Sequence, residues 1–213
     1  MKQIMVIGCG RFGSSVAKTL SKLGHDVMVV DQNPDIIRDI SEYVDHAVQM
    51  DALDEASFRT FGIRNFDIAV VAIGSDLEAS IMATLIAKEA GVPVVIAKAM
   101  SEIHGKLLAK IGADKIIYPE RDMGMRVAFG ISSPNILDVI EFSTDYSIIE
   151  TVALDDWEDK SLKDLNLSGM TVIAIKTGEH INIVPPPDAI IKKEDVLVIL
   201  GSNDNLKKLG EKK

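Results

Sequence analysis

The sequence predicts an α/β protein in which a doubly wound parallel sheet of six strands is followed by a smaller α+β domain. Two observations carry this prediction. Short apolar runs alternate strictly with helical patterns over residues 1–119, and the apolar runs contain few polar positions. Strands that are apolar throughout are buried on both faces, which requires a parallel sheet with helices on either side. Six such strands complete a dinucleotide-binding domain of the Rossmann type.

Each element of this first domain has a local pattern of its own. A strand at residues 2–8 leads through a glycine-containing turn to a helix at 11–24, which keeps Val16, Leu20 and Leu23 on one face. The other strands are expected at 26–31, 46–51, 67–74, 92–99 and 114–119, and the other helices at 34–44, 54–62, 77–91 and 101–113.

The pattern changes after the sixth strand and predicts a crossover and a second domain. Residues 120–138 are expected to hold a helix that starts at Glu120, a hinge at Pro134 and a second short helix. Residues 139–213 are typical of a small α+β domain. It has two apolar strands separated by a short helix, a hairpin turn at Gly178, a last apolar strand and a terminal helix.

The composition limits the partners and the compartment. A formal net charge of -9 and a pI of about 4.9 argue against a broad surface for nucleic acid or acidic lipid. Cys9 is the one cysteine, which excludes an internal disulfide and a cysteine-based zinc site and fits a reducing cytosol. The apolar runs are far shorter than the roughly 20 residues that cross a bilayer, so a membrane role would need a separate partner chain.

The stretch "GCGRFG" carries the first functional signal. Gly8 permits a tight turn, Gly10 lets the backbone approach a pyrophosphate, and Gly13 lets the helix pack close to the strand. The loop follows a strand, opens a helix, and is followed 18 residues after Gly13 by Asp31 at the end of the next strand. This context predicts a nucleotide site in which Asp31 accepts both ribose hydroxyls and repels a 2′-phosphate.

Further candidates stand at the ends of the later strands. Asp51 ends the third strand and either borders the adenine or caps the next helix; Ala72, Ile73 and Gly74 end the fourth strand, where the chain passes under the ligand. Lys98 ends the fifth strand and either reaches a phosphate or is a surface lysine. The complete predicted set is Gly8, Gly10, Arg11, Phe12, Gly13, Asp31, Gln32, Asp51, Ala52, Ala72, Ile73, Gly74 and Lys98.

The sequence contains residues suited to binding a nucleotide but no evident catalytic residues. A dehydrogenase needs an acid or base near the nicotinamide, and the chain has no Tyr-x-x-x-Lys pair; His104 is a weak candidate in the helix after Lys98. Two further alternatives are a redox sensor that uses Cys9 and a dimeric scaffold whose bound nucleotide does not change its structure. These alternatives to a nucleotide-binding regulator stay open at this point.

Four longer stretches together resemble a known family. They are "GCGRFGSSVAKTLSKLGHDVMVVD", "VVAIGSDLEAS", "AKAMSEIHGKLLAKIGADKIIYPERDMGMRVA" and "PPPDAIIKKEDVLVILG". The chain is similar, over nearly all of its length, to the KTN/RCK proteins that regulate Trk and Ktr potassium uptake systems. The resemblance implies a Rossmann lobe, a helical crossover and a small RCK C-terminal lobe.

The resemblance also implies roles for particular residues. Arg11 matches a loop arginine that reaches the terminal phosphate of a nucleotide bound to the neighbouring subunit. Glu120 matches an acid that helps to hold a divalent cation, Mg²⁺ or Ca²⁺, at a dimer interface, although an acid in the first turn of a helix also has a purely structural role. Residues 139–213 contain no arginine, which argues against the cyclic di-AMP site of some relatives.

The implied function is regulation without catalysis. Homodimers would assemble into an octameric ring at the inner face of the cell membrane, beneath a potassium-translocating subunit. ATP, ADP, NAD or NADH would bind the Rossmann crevice and set the shape of the ring.

Overall fold

The computed structural model describes residues 1–133, 135–143 and 145–210. The chain divides into two units, Met1–Pro119 and Glu120–Lys213. Pro134, where the sequence predicts the hinge, lies outside the described residues. Within the described part of the chain, no helix is both long enough and apolar enough to cross a membrane.

The first unit is built on a six-stranded parallel sheet. Its strands are β1 (Gln3–Ile7), β2 (Asp26–Asp31), β3 (His46–Gln49), β4 (Ile68–Val71), β5 (Val94–Lys98) and β6 (Lys115–Ile117). They lie in the order β3-β2-β1-β4-β5-β6, so the strand order reverses between β1 and β4. This arrangement confirms the predicted doubly wound fold, and it puts the switch point beside the glycine-rich turn.

Five helices cover the two faces of this sheet. They are α1 (Arg11–Lys22), α2 (Pro34–Ile40), α3 (Glu55–Thr60), α4 (Leu77–Glu89) and α5 (Glu102–Lys110). Apolar side chains form one core on each face, with Phe58 and Leu108 buried on one side and Ala17 and Ile40 on the other. The two cores explain why the central strands are apolar along their whole length.

The helices of the first unit begin in two different ways. The side chains of Asn33, Asp54, Asp76 and Ser101 accept hydrogen bonds from backbone N–H groups in the first turns of α2, α3, α4 and α5. Helix α1 begins at Arg11 and follows Gly10, the N-cap residue, which has no side chain to cap the helix. The first N–H groups of α1 therefore need another partner, such as water or a bound anion.

The described residues of the second unit form a five-stranded antiparallel sheet and two α-helices. Helix α6 (Pro119–Ser132) starts at the unit boundary. The strands are β7 (Ile136–Glu141), β8 (Tyr146–Val152), β9 (Met170–Thr177), β10 (His180–Ile183) and β11 (Val196–Ser202), in the order β10-β9-β11-β8-β7. Helix α7 (Asn203–Gly210) follows, and β9 and β10 form the predicted hairpin.

The predicted second short helix of the crossover is wrong, because this segment is strand β7. Ile136, Val139 and Ile140 have the i, i+3, i+4 spacing of a helical face, which favours the helical interpretation. In the structure the segment pairs antiparallel with β8 along most of its length. The Arg126 guanidinium also donates to the Asp138 carboxylate, with 3.0 Å between Nε and Oδ1, and so joins α6 to β7. This pair lowers the pKa of Asp138.

A buried carboxylate organises the core of the second unit. Asp195 is 2% exposed, immediately before β11. Its two oxygens accept from the Thr177 hydroxyl at 2.7 Å and from the Lys192 N–H at 2.8 Å. Because Asp195 accepts from both Thr177 and Lys192, its carboxylate joins the end of β9 to the turn before β11.

Replacing this carboxylate should destabilise the second unit. Asp195→Ala leaves the Thr177 hydroxyl and the Lys192 N–H without their acceptor, and we expect a loss of about 2–4 kcal/mol in the free energy of unfolding. The fluorescence of Trp157, the only tryptophan of the chain and 3% exposed in this unit, follows the denaturant-induced transition. Asp188→Ala, at an exposed position in the neighbouring turn, is the control and should change little. Equal free energies of unfolding for the two variants would contradict the role of Asp195.

Candidate functional site

The turn between β1 and α1 begins at a glycine that no other residue can replace without strain. Gly8 has a φ of +87°, in the left-handed region. A β-carbon on Gly8 would stand 3.0 Å from the Ile73 backbone nitrogen and 2.8 Å from its Cγ1. The Gly8 N–H donates to the Val30 carbonyl oxygen at 2.8 Å. The turn is therefore held between the ends of β2 and β4.

The third glycine of the motif lets α1 pack directly on this turn. A β-carbon on Gly13 would lie 2.0 Å from the Gly8 carbonyl oxygen and 3.2 Å from the Ala72 β-carbon. Neither neighbour can move away, because one is backbone and the other belongs to a buried residue at the end of β4. The absence of a side chain at Gly13 thus fixes the distance between α1 and the sheet.

The middle glycine faces open space. An added β-carbon on Gly10 would meet no atom within 4 Å, and the φ of Gly10, −64°, is available to any residue. The backbone around Gly10 is therefore accessible at the start of α1, where the helix dipole and the first N–H groups favour an anion. Arg11, the first residue of α1, is exposed beside it.

Asp31 connects the end of β2 to the glycine-rich turn. One carboxylate oxygen accepts from the Cys9 N–H at 2.7 Å, and the other accepts from the Asn33 N–H at 2.9 Å. Each oxygen keeps a second lone pair, so the same carboxylate can also accept from two ribose hydroxyls. The next residue, Gln32, is exposed, and its carbonyl oxygen accepts from the Gln49 side-chain amide at 3.2 Å.

The sequence allowed two roles for Asp51, a neighbour of the adenine or the N-cap of α3, and the second role is wrong. Asp51 is exposed after β3, and its carboxylate accepts from the Leu53 N–H at 2.9 Å in a local turn. Asp54 caps α3 by accepting from the Ser57 N–H. Ala52 is half-buried against the core that α3 covers. Asp51 therefore remains a predicted neighbour of the ligand's adenine.

Lys98 is buried, so the interpretation of a surface lysine is wrong. It is 8% exposed at the end of β5, and its Nζ stands 2.9 Å from the position that a β-carbon on Gly74 would take. The Nζ lies 5.9 Å from the centre of the Phe12 ring, within the range of a cation–π contact. Sequence patterns gave no signal for this burial, because Gly74 and Phe12, which lie near the ammonium group, come from other elements of the fold.

Cys9 and His104, the residues considered for redox and acid–base chemistry, are both buried. Burial and the nearby Asp31 carboxylate raise the pKa of Cys9 to about 11, so the thiol stays protonated at neutral pH. His104 is 3% exposed, and burial lowers its pKa. Its Nδ1 accepts from the Met100 N–H at 3.3 Å, which holds the ring at the start of α5.

Glu120 belongs to the second unit. It is exposed in the first turn of α6. Among the described residues, no group of three or more His, Cys, Asp or Glu side chains could hold a metal ion.

Comparison with known proteins assigns the family. The TrkA-N domain model matches residues 4–119, and the TrkA-C domain model matches residues 148–213. The chain belongs to the Trk/Ktr family of potassium uptake proteins. It is 42% identical over 210 residues to Ktr system potassium uptake protein A of Bacillus subtilis (strain 168), covering 97% of this chain and 95% of that one.

Solved structures share this fold over nearly the whole chain. The GsuK channel aligns with a TM-score of 0.69 at 17% sequence identity, covering 99% of this chain and 39% of the channel chain. A second structure, the GsuK channel bound to NAD, aligns with a TM-score of 0.54 at 21% identity, covering 98% of this chain and 38% of that one.

Gly13 and Gly10 should respond differently to the same substitution. Gly13→Ala forces a β-carbon against the Gly8 carbonyl oxygen, so we expect a loss of about 3 kcal/mol or more in the free energy of unfolding. Gly10→Ala adds the same methyl group to open space and should cost less than about 1 kcal/mol. Urea unfolding followed by circular dichroism measures both values. Similar losses for the two variants would show that the contact between Gly13 and Gly8 does not constrain the turn.

Proposed function

We propose that this protein is the nucleotide-binding regulatory subunit of a potassium uptake system. It binds an adenine nucleotide in its first unit and controls a membrane subunit that translocates potassium. One observation supports the proposal most directly. No side chain caps α1 at its N-cap residue, Gly10, and the turn before the helix is held by the hydrogen bond from the Cys9 N–H to the Asp31 carboxylate. The family assignment supports the same conclusion, because a relative with 42% identity over nearly the whole chain is a Ktr system potassium uptake protein.

The ligand is an adenine nucleotide, ATP or ADP, or NAD or NADH. Its phosphates contact the N–H groups at the start of α1, and its ribose hydroxyls donate to the Asp31 carboxylate. The negative charge of Asp31 disfavours a ribose that carries a 2′-phosphate. A solved structure of similar fold is bound to NAD, which supports an adenine nucleotide in the crevice.

Regulation works through the assembly of subunits. Homodimers form an octameric ring at the cytoplasmic face of the membrane, and the ring contacts the translocating subunit. A nucleotide shifts the ring between two shapes only if it binds one shape more tightly than the other. Arg11 is exposed at the start of α1, so its guanidinium is available to the terminal phosphate of a nucleotide in the neighbouring subunit.

Glu120 is the proposed protein ligand of a divalent cation at the subunit interface. A carboxylate oxygen is a suitable ligand for Mg²⁺ or Ca²⁺, and the nucleotide phosphates supply further oxygens. The subunit catalyses no reaction. Hydride transfer from alcohols or hydroxy acids to NAD in the presence of the pure protein would contradict this part of the proposal.

Arg11 should distinguish ATP from ADP. Arg11→Ala removes a charge-assisted hydrogen bond to the terminal phosphate of ATP, so we expect ATP to bind about tenfold or more weakly while the Kd for ADP stays within about twofold. Isothermal titration calorimetry of the assembled protein measures both values, with and without Mg²⁺ or Ca²⁺.

Arg38→Ala is the matched control, because Arg38 is an exposed arginine on α2 that pairs with Asp35 at 3.0 Å. It should leave both affinities unchanged. Equal losses for ATP and ADP in Arg11→Ala would contradict the role given to Arg11. A wild-type protein that binds no adenine nucleotide would contradict the proposed function itself.

A further inference from the structure

The first turn of α5 is held by two hydrogen bonds that run in opposite directions along the chain. The Ser101 hydroxyl accepts from the His104 N–H at 3.2 Å, and the His104 Nδ1 accepts from the Met100 N–H at 3.3 Å. The pair resembles a capping box, in which a side chain three residues after the N-cap, usually glutamate or glutamine, reaches back to the backbone before the helix. In α5 the N-cap is Ser101, and a histidine takes the place of the glutamate.

A histidine differs from a glutamine at this position because it can gain a proton. While Nδ1 accepts a hydrogen bond, the neutral ring carries its own proton on Nε2. A second proton has to bind at Nδ1, and a protonated Nδ1 can no longer accept from the Met100 N–H. Protonation of His104 and its bond to Met100 therefore exclude each other.

The surroundings of the ring offer nothing that balances a positive charge. His104 is 3% exposed, and its Nε2 has no hydrogen-bond partner among the described residues. No carboxylate is buried in the described part of the first unit, where the buried ionisable side chains are Cys9, Lys98 and His104. Lys98 is itself a cation. A charged imidazole at this place would therefore be a buried charge without a counter-charge, which is costly.

The charged groups of the elements around α5 stay at the surface. Helix α5 packs against α4 and β6, and Lys88 of α4 pairs with Asp114, just before β6, with 3.0 Å between Nζ and Oδ2. The phenol of Tyr118, which follows β6, lies against Gly105, next to His104 in α5. The other charged side chains on and beside these elements are exposed: Asp76, Glu78, Glu89, Glu102, Lys106, Lys110 and Lys115. Burial is thus the cause of the lowered pKa of His104.

We propose that His104 is a proton-sensitive cap of α5, and that mild acidification releases the first turn of this helix together with the connection from β5. Because β1 and β5 are parallel strands of one sheet, the released segment lies at the same edge of the sheet as the glycine-rich turn. The proton is therefore a second signal at that edge. The release needs no nucleotide, so it stands apart from the proposed function.

The direction of the pH effect follows from the two protonation equilibria. A histidine in the released segment takes a proton near its ordinary pKa of about 6.5. The capped histidine stays neutral to lower pH, because burial lowers its pKa. The capped form is therefore favoured fully above about pH 6.5, and it loses stability relative to the released form as the pH falls below that value.

Hydrogen exchange of the full chain, measured by mass spectrometry at about pH 7.5 and about pH 5.5, tests the proposal. The readout is the protection factor of the amides from Met100 to His104, which compares each exchange rate with that of an unfolded chain at the same pH. Over this interval, protonation at the ordinary pKa of about 6.5 favours the released form about tenfold, so we expect protection to fall about tenfold. The amides of β4 are the internal reference and should change far less.

His104→Gln separates the cap from the proton. The glutamine amide oxygen can accept from the Met100 N–H but does not titrate in this range. We expect the protection of the segment at about pH 7.5 to stay within about threefold of the wild-type value, and its fall at about pH 5.5 to disappear. His46→Gln is the matched control, because it removes an exposed histidine at the start of β3 and should leave the tenfold fall unchanged.

Equal protection of residues 100–104 at the two pH values in the wild-type protein would overturn the proposal. An equal fall in the wild type and in His104→Gln would do the same, since acid would then act through other groups. Exchange of the His104 Cε1 proton in the wild-type protein gives the pKa of the ring without any variant, and a pKa at or above about 6.5 would also overturn the proposal. None of these results concerns nucleotide binding, so the proposed function would stand.

Discussion

The contact between the Gly13 backbone and the Gly8 carbonyl oxygen is the constraint on which the site depends. It allows α1 to begin directly over the end of β1, because no side chain separates the two segments. The turn is then braced from both neighbouring strands: Asp31 accepts from the Cys9 N–H on one side, and Ile73 lies against Gly8 on the other. These contacts within the protein hold the N–H groups at the start of α1 in place, so binding costs little ordering of the turn.

Most of the fold could be predicted because its signals are local. In the first unit, each strand and the helix that follows it carry their own apolar pattern, and the strict alternation leaves one class of sheet. The second unit was harder because β7 has no distinctive local signal. Ile136, Val139 and Ile140 fit a helix as well as a strand, and only the pairing with β8 decides between them. Such a pairing joins the segment to the next strand along the chain, and the periodicity of one segment alone does not reveal it.

The site was partly predictable for the same reason. The glycine spacing and the acid at the end of β2 identify the turn, since both are fixed in sequence relative to β1. The burial of Lys98 was not predictable, because the residues near its ammonium group, Gly74 and Phe12, come from other elements. The choice of Asp54 over Asp51 as the cap of α3 is also a matter of geometry, since both are aspartates in turn-forming positions and the helix starts after only one of them.

In the proposed function, the identity of the bound nucleotide sets the shape of the assembled protein. Small-angle X-ray scattering of the wild-type protein, saturated first with ATP and then with ADP, tests it most directly. The account predicts an octamer of the same mass in both cases with two clearly different scattering curves. Superimposable curves, from samples in which calorimetry shows both nucleotides bound, would contradict it.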